Sequence, residues 1–329
     1  MKKKRYNRLN ICKCPPSPRV LCRNYSETKV INHQLHPYFI TGFSDGEGYF
    51  NISISRSTKM KTGWIVYLQF GIALHKKDRL LLESIKTFFG NVGNITEGNQ
   101  KVQYRVTSIK DLEVIIEHFE NFPLITQKWS DYQLFKSAFE LVKCKKHLTQ
   151  EGLEKIVSIK ASFNWGLSDD LKPAFSHVTP EARPLIQNQE IKDPNWLAGF
   201  VSGEGCFMIS LRESKTHKLG ERVNLRFQIT QHFRDAELMK SFETFLGCGT
   251  YRERAGKDFG EFIVDSFSDI QQKIISFFDA YPIQGAKSLD SADFKQVAEL
   301  MKTKAHLTAE GLDQIRQIKA GMNTGRKHS

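Results

Sequence analysis

The sequence predicts an α+β protein made of two tandem, pseudo-symmetric αββαββα domains whose first helices pair at the interface. Three observations carry this expectation. The chain repeats itself at a nearly fixed offset; each copy opens with a short glycine-spaced apolar helix that gives way to strict alternation; and a proline-containing segment without periodicity separates the copies.

The repeat is direct. "ITGFSDGEGYFNISI" from Ile40 matches "LAGFVSGEGCFMISL" from Leu197, which places Glu47 and Glu204 157 residues apart. The same offset carries Phe70 onto Phe227, Ile72 onto Ile229, His75 onto His232, Asp78 onto Asp235 and Gly90 onto Gly247. After a two-residue shift, Pro123, Lys128 and Asp131 fall on Pro282, Lys287 and Asp290, and "HLTQEGLEKIVSIKA" from His147 matches "HLTAEGLDQIRQIKA" from His306. The reading is a duplicated domain over residues 34–166 and 193–325. Residues 167–192, with Pro173, Pro180 and Pro184, form a linker. Residues 1–33 are read as a basic extension, expected to be disordered: the first 24 residues hold eight Lys or Arg and no acid, and "CPPSP" breaks any packed element. A transit segment, a basic arm and read-through from an upstream frame all fit that composition.

Within each copy, Pro37 and Pro194 suit the first helical position, with Asp193 as an N-cap. The helices are expected to stop at Gly48 and Gly205 in a left-handed cap. Gly42 and Gly46, like Gly199 and Gly203, are four apart and share one helix face. Two such helices can pair backbone to backbone, which offsets the roughly 1 kcal/mol that each helical glycine costs relative to alanine. Alternation then sets Phe50, Ile52 and Ile54 toward a core, with Tyr49, Asn51, Ser53 and Ser55 on the other face. A Lys/Thr/Gly turn leads back through "WIVYLQFGIAL". There follow a helix from about Asp78, a second hairpin ending in "VQYRVTS" or "EFIVDS", and two or three helices, with Thr149 and Thr308 as N-caps.

Composition narrows the partners. The chain of 329 residues carries 48 Lys+Arg against 36 Asp+Glu, a net charge of +12, which points to a polyanion and first to nucleic acid. No apolar run approaches the ~18 residues of a membrane span, so a soluble protein is expected. Six cysteines without paired CxxC spacing give neither a disulfide scaffold nor a zinc site, and a reducing compartment fits. No helix-turn-helix unit is apparent in either copy.

A glutamate at the last turn of a helix meets the negative end of the helix dipole, at a cost of roughly 0.3–1 kcal/mol. If the two glycine-spaced helices pair, Glu47 and Glu204 come together at their C-terminal ends. Two carboxylates there make sense where divalent metal ions sit between them. Asp45 is read as a structural or cap residue, because the second copy has Ser202 in its place.

"ITGFSDGEG" and "LAGFVSGEG" resemble the two signature helices of single-chain LAGLIDADG homing endonucleases of the organellar intron-encoded type, over about four fifths of the chain. The resemblance implies a monomeric, site-specific double-strand DNA endonuclease with a β-saddle on the major groove. It implies Mg²⁺, or another divalent cation, held at Glu47 and Glu204 with their neighbours Gly46 and Gly203. Lys128 and Lys287 resemble the family's active-site lysine. The DNA-reading face implied is Tyr49, Asn51, Ser53, Ser55, Ser57 and Gln69 in one copy and Met208, Ser210, Arg212, Ser214, Arg226, Gln228 and Thr230 in the other, with Lys59, Lys61 and Lys215 on phosphate. The target is then long and only roughly palindromic, the role is intron mobility, and the location is mitochondrial. Two rivals belong to another class: an RNA maturase that assists splicing of its host intron RNA, and a non-cleaving DNA-binding protein.

Overall fold

The computed structural model describes residues 35–326; the basic extension and its expected disorder lie outside the described residues. Helix α1 (Pro37–Glu47) runs directly into β1 (Gly48–Arg56), which returns as β2 (Trp64–His75). A 3₁₀ turn, Lys76–Asp78, starts α2 (Arg79–Phe88). Strands β3 (Asn94–Glu97) and β4 (Lys101–Val106) form the second hairpin, followed by α3 (Ile109–Asn121), α4 (Lys128–Lys143) and α5 (Gln150–Ala161). After a one-turn helix α6 (Leu171–Ala174), the order repeats as α7 (Pro194–Glu204), β5 (Gly205–Glu213), β6 (Glu221–His232), α8 (Ala236–Leu246), β7 (Thr250–Glu253) and β8 (Phe259–Val264). Where the first half has the single helix α3, the second has α9 (Phe267–Asp269) and α10 (Ser276–Ala280) joined by a π-helical stretch, Ile270–Ile275. Helices α11 (Lys287–Lys302) and α12 (Ala309–Ala320) complete it.

Each half holds one antiparallel four-stranded sheet, ordered β1-β2-β4-β3 and β5-β6-β8-β7. The first hairpins share a register: Gly48 faces Ile72 and Arg56 faces Trp64, as Gly205 faces Ile229 and Glu213 faces Glu221. Alternation in that register buries Phe50, Ile52, Leu68, Phe70 and Ile72 in one core and Phe207, Ile209, Leu225, Phe227 and Ile229 in the other. The opposite face is open along most of β1 and β5, while on β8 Glu261 and Ile263 of that face are buried.

The halves meet through α1 and α7, whose backbones touch. A methyl group at Gly42 would lie 1.9 Å from the Trp196 carbonyl oxygen, and one at Gly199 2.1 Å from that of Phe39. The glycine spacing thus reports the helix pairing. The expected left-handed caps are corrected: Gly48 and Gly205 are extended, with φ of −73° and −70°. Glycine is needed there for space, since a Cβ would stand 2.7 Å from the Ser44 carbonyl oxygen or 2.4 Å from Val201 Cγ1.

The segment between the halves is anchored to the first. Leu171 and Phe175 join its core, and the Glu181 N–H donates to the Ser158 carbonyl at 3.0 Å. Asp131 and Asp290, aligned in sequence, each take an arginine from the chain after the last helix of their half: Arg183 at 2.7 Å and Arg326 at 2.8 Å. No helix among the described residues is long and apolar enough to cross a membrane.

Candidate functional site

The pairing of α1 and α7 brings their last residues together. Glu47 folds over Gly203, where an added Cβ would stand 3.0 Å from Glu47 Cγ, and Glu204 folds over Gly46, where the distance is 3.3 Å. Each glutamate is thus seated on the glycine that precedes the other. Burial pushes both carboxyl groups above the usual carboxylate range, and the charge of Glu47 pushes Glu204 further, while Lys128 and Lys287 pull both back. Gln231, at the end of β6, hydrogen-bonds Glu204. Sequence reasoning missed it, because its counterpart in the first half is Leu74 and the repeat gave no signal.

Each half supplies a lysine to its own opening helix. Lys128 Nζ donates to the carbonyl oxygens of Ser44 at 2.9 Å and Gly46 at 3.1 Å, and Lys287 Nζ donates to that of Gly203. The Gly46 and Gly203 carbonyls lie at helix C-termini without an intrahelical partner, whereas that of Ser44 also accepts the Gly48 N–H; a cation there meets the negative dipole end. Burial lowers the pKa of both ammonium groups, against the pull of the nearby carboxylates. Two carboxylates and two ammonium groups therefore share one site, partly desolvated. A cleft of about 360 Å³ opens beside it, lined by Glu47, Lys77, Asp78, Gly203, Lys287 and Asp290, among others.

Asp45 lies behind this group, where its charge, with those of Glu204 and Glu47, favours the charged form of Lys128. It is 3% exposed and accepts from the N–H of Ile125 (3.0 Å) and Thr126 (3.2 Å), the Thr126 hydroxyl (2.6 Å) and the Trp196 indole (2.8 Å). These bonds tie the end of α1 to the chain just before α4 and to α7. No cluster of three His, Cys, Asp or Glu side chains suited to a metal is present among the described residues.

From the site the open sheet faces run outward. Tyr49, Asn51, Ser53 and Ser55 alternate with the buried residues of β1, and Ser57, Lys59 and Lys61 lie in the turn beyond it. Gln69 donates to the Tyr49 hydroxyl at 2.7 Å, and the Tyr49 ring covers Gly71, where a Cβ would meet it at 2.5 Å. In the second half Met208, Ser210 and Arg212 alternate along β5, Arg226, Gln228 and Thr230 along β6, and Ser214, Lys215 and Lys218 occupy the turn. Arg212 lies opposite Arg222, a like-charged pair on the exposed part of the hairpin. Gln228 is engaged by Thr230 at 3.1 Å and by buried Glu261 at 2.9 Å, and Arg226 stands 3.6 Å from Asp265. Sequence reasoning left out Gln103 and Arg105, which lie on the same face opposite Ala73 and Gly71. The alternation of Val102, Tyr104 and Val106 into the core was the available signal.

The family model for LAGLIDADG endonucleases matches twice, over residues 40–139 and 197–298. Probable intron-encoded endonuclease 3 of Neurospora crassa is 42% identical over 285 residues, covering 86% of this chain and 53% of that protein. Probable intron-encoded endonuclease 2 of the same organism is 41% identical over 319 residues, covering 90% and 69%. The chain thus spans about half the length of the first relative and about two thirds of the second. The crystal structure of the LAGLIDADG homing endonuclease I-SmaMI bound to cleaved DNA superposes with a TM-score of 0.87 at 48% identity, covering 89% of this chain and 98% of that one. I-SmaMI has also been solved as two single lysine-to-alanine variants. By the double match over both halves and by these relatives, the chain belongs to the LAGLIDADG endonuclease family.

Proposed function

We propose that the protein is a monomeric, Mg²⁺-dependent homing endonuclease that cuts both strands of a long, roughly pseudo-palindromic DNA target and promotes mobility of its own intron. The observation that carries this reading is the crossed seating of Glu47 and Glu204 on Gly203 and Gly46, with a lysine from each half beside them. Residues 34–166 and 193–325 act as two DNA-binding domains joined by 167–192.

The donor set suits a hard divalent cation. Two desolvated carboxylates repel unless a cation lies between them. The Gly46 and Gly203 carbonyl oxygens keep a second lone pair beside the lysine contact. Mg²⁺ commonly takes only one or two carboxylates and completes its shell with water and substrate phosphate. When bound, such an ion supplies water activation and stabilisation of the leaving 3′ oxygen.

The chain's own residues do the rest. Glu47 and Glu204 would hold the cation at the paired helix ends, and seated on Gly203 and Gly46 they fix where it would sit. Lys128 and Lys287, anchored on helix carbonyls, stabilise the negative charge that develops on phosphate oxygens during hydrolysis. Tyr49, Asn51, Ser53, Ser55, Ser57 and Gln69, with Met208, Ser210, Arg212, Ser214, Arg226, Gln228 and Thr230, face base edges. Lys59, Lys61 and Lys215 neutralise backbone phosphate. A mitochondrial location rests on the intron-encoded relatives and on the basic residues 1–33.

The test uses supercoiled plasmid carrying the uninterrupted exon junction of the host gene. Wild type with Mg²⁺ is expected to linearise it. Glu47→Gln and Glu204→Gln reduce cleavage to background while still shifting the target duplex in a gel. Lys128→Met or Lys287→Met slows cleavage on the order of 10²-fold. Cleavage by the Glu47→Gln/Glu204→Gln double variant would remove the assignment, and tighter binding to host intron RNA than to the junction would favour a maturase.

A further inference from the structure

Asp78 and Asp235 are aligned in the repeat, yet nothing so far gives them a task. Each ends the 3₁₀ turn that follows the second strand of its half, and each spends its carboxylate on the opposite half. Asp78 Oδ1 accepts the N–H of Ala286 at 2.6 Å, and Asp235 Oδ1 accepts that of Gln127 at 2.8 Å. Ala286 and Gln127 are the residues immediately before Lys287 and Lys128, where α11 and α4 begin.

The local sequence is shaped around this contact. Gly285 has φ of +70°, and a Cβ there would stand 2.6 Å from Asp78 Oδ1. A bond from a charged carboxylate to a backbone N–H at a helix start is among the stronger ones, and it fixes the backbone that carries the lysine. The two sides differ in their surroundings. Asp235 is 2% exposed and also takes Gln189 Nε2 at 3.0 Å from the connecting segment, whereas Asp78 opens on the cleft beside Glu47.

We propose that Asp78 is a positioning residue for Lys287, and Asp235 for Lys128, so that each lysine is set by the half that does not carry it. This rests on the endonuclease reading above. It follows that losing one aspartate disables the lysine of the other half, and with it one strand cut.

The experiment measures single-turnover cleavage of each strand separately, on an end-labelled target duplex. Lys287→Met and Lys128→Met serve as references and are expected to slow opposite strands. Asp78→Ala slows the strand that Lys287→Met slows, about tenfold more than the other, as a small misplacement of a catalytic group can do. Asp78→Asn, which keeps an acceptor, recovers most of the rate. Ala286→Pro deletes the donor at a φ of −60° that proline adopts, and reproduces the Asp78→Ala bias. Asp235→Ala and Asp235→Asn mirror these effects with Lys128→Met; should Asp235→Ala not fold, the Asp78 and Ala286 arms decide. Equal slowing of both strands, a bias matching the wrong lysine, references without opposite biases, or Asp78→Asn as slow as Asp78→Ala each overturns the proposal. A wild type that cuts neither strand sinks the endonuclease reading instead.

Discussion

Asp45 and Ser202 occupy the same place in the repeat and do the same job with different strength. Ser202 Oγ accepts the Gln284 N–H at 3.1 Å and donates to the Ala198 carbonyl, as Asp45 accepts the N–H of the equivalent Ile125. The acid stands where an indole must also be satisfied: Trp196 Nε1 reaches Asp45, whereas Phe39, with no N–H, fills the matching position across the pseudo-two-fold. Asp45→Ser is therefore expected to cost about 2 kcal/mol by stranding buried donors, and Asp45→Ser/Trp196→Phe less than the sum of the singles, with a coupling of about 1 kcal/mol in urea unfolding. Strict additivity would contradict this pairing. His118 gives a pH signature at the same scale. Its Nε2 lies 3.1 Å from the Thr41 hydroxyl, which itself donates to the Phe122 carbonyl, and phenylalanine rings pack around it. Burial lowers its pKa from 6.5 to about 3. The folded state then refuses a proton that the unfolded chain accepts, so stability is lost as pH falls below 6.5. Between pH 7 and 5 the loss from this group is about 2 kcal/mol. In urea titrations at both pH values, His118→Gln should lack that share of the decline, and an equal decline in both proteins would be the contrary result.

At the scale of elements, the glycines of α1 and α7 divide by depth. Gly42 and Gly199 touch backbone carbonyls closer than any Cβ allows, so Gly42→Ala or Gly199→Ala must push the helices apart and is expected to lower stability by more than about 3 kcal/mol. A Cβ at Gly46 would be tight only against the Glu204 side chain, at 3.3 Å, with the Phe200 carbonyl oxygen at 3.7 Å and Gly203 Cα at 3.8 Å in ordinary contact. Gly46→Ala should fold with a melting temperature near wild type yet cut slowly, because the methyl displaces the glutamate; a Gly46→Ala enzyme of full activity would show that the seating is not needed. Much of this was legible beforehand. The fixed offset gave the duplication, alternation gave the buried faces of β1 and β2, and the four-residue glycine spacing gave the helix pairing. What escaped were contacts that no local period encodes. Asp78 meets Ala286 across 208 residues of chain. Gln231 has no polar counterpart in the other copy. At Gly48 glycine is needed for space against Ser44 and not for a positive φ, which a single sequence position does not distinguish.

For the whole molecule, the charge of +12 must be divided between adhesion and reading. The opposed Arg212 and Arg222, and the exposed lysines in the turns beyond β1 and β5, place positive charge on exposed ground, the kind of surface that attracts a polyanion. Binding that releases condensed counterions weakens steeply with salt, by a slope of about 0.9 per phosphate contact. Lys59→Ala, Lys61→Ala and Lys215→Ala are each expected to flatten the plot of log affinity against log salt by about 1 unit, without changing which target is preferred. Gln69 should behave in the opposite way. It is uncharged, its amide nitrogen is held by the Tyr49 hydroxyl, and its carbonyl oxygen is left to accept from a base edge. Gln69→Ala should keep the salt slope and relax discrimination at one or two neighbouring base pairs by about 1–3 kcal/mol in a competition assay over single-base target variants. A Gln69→Ala protein with unchanged preferences and a shallower slope would mean that this face adheres to the duplex without reading it.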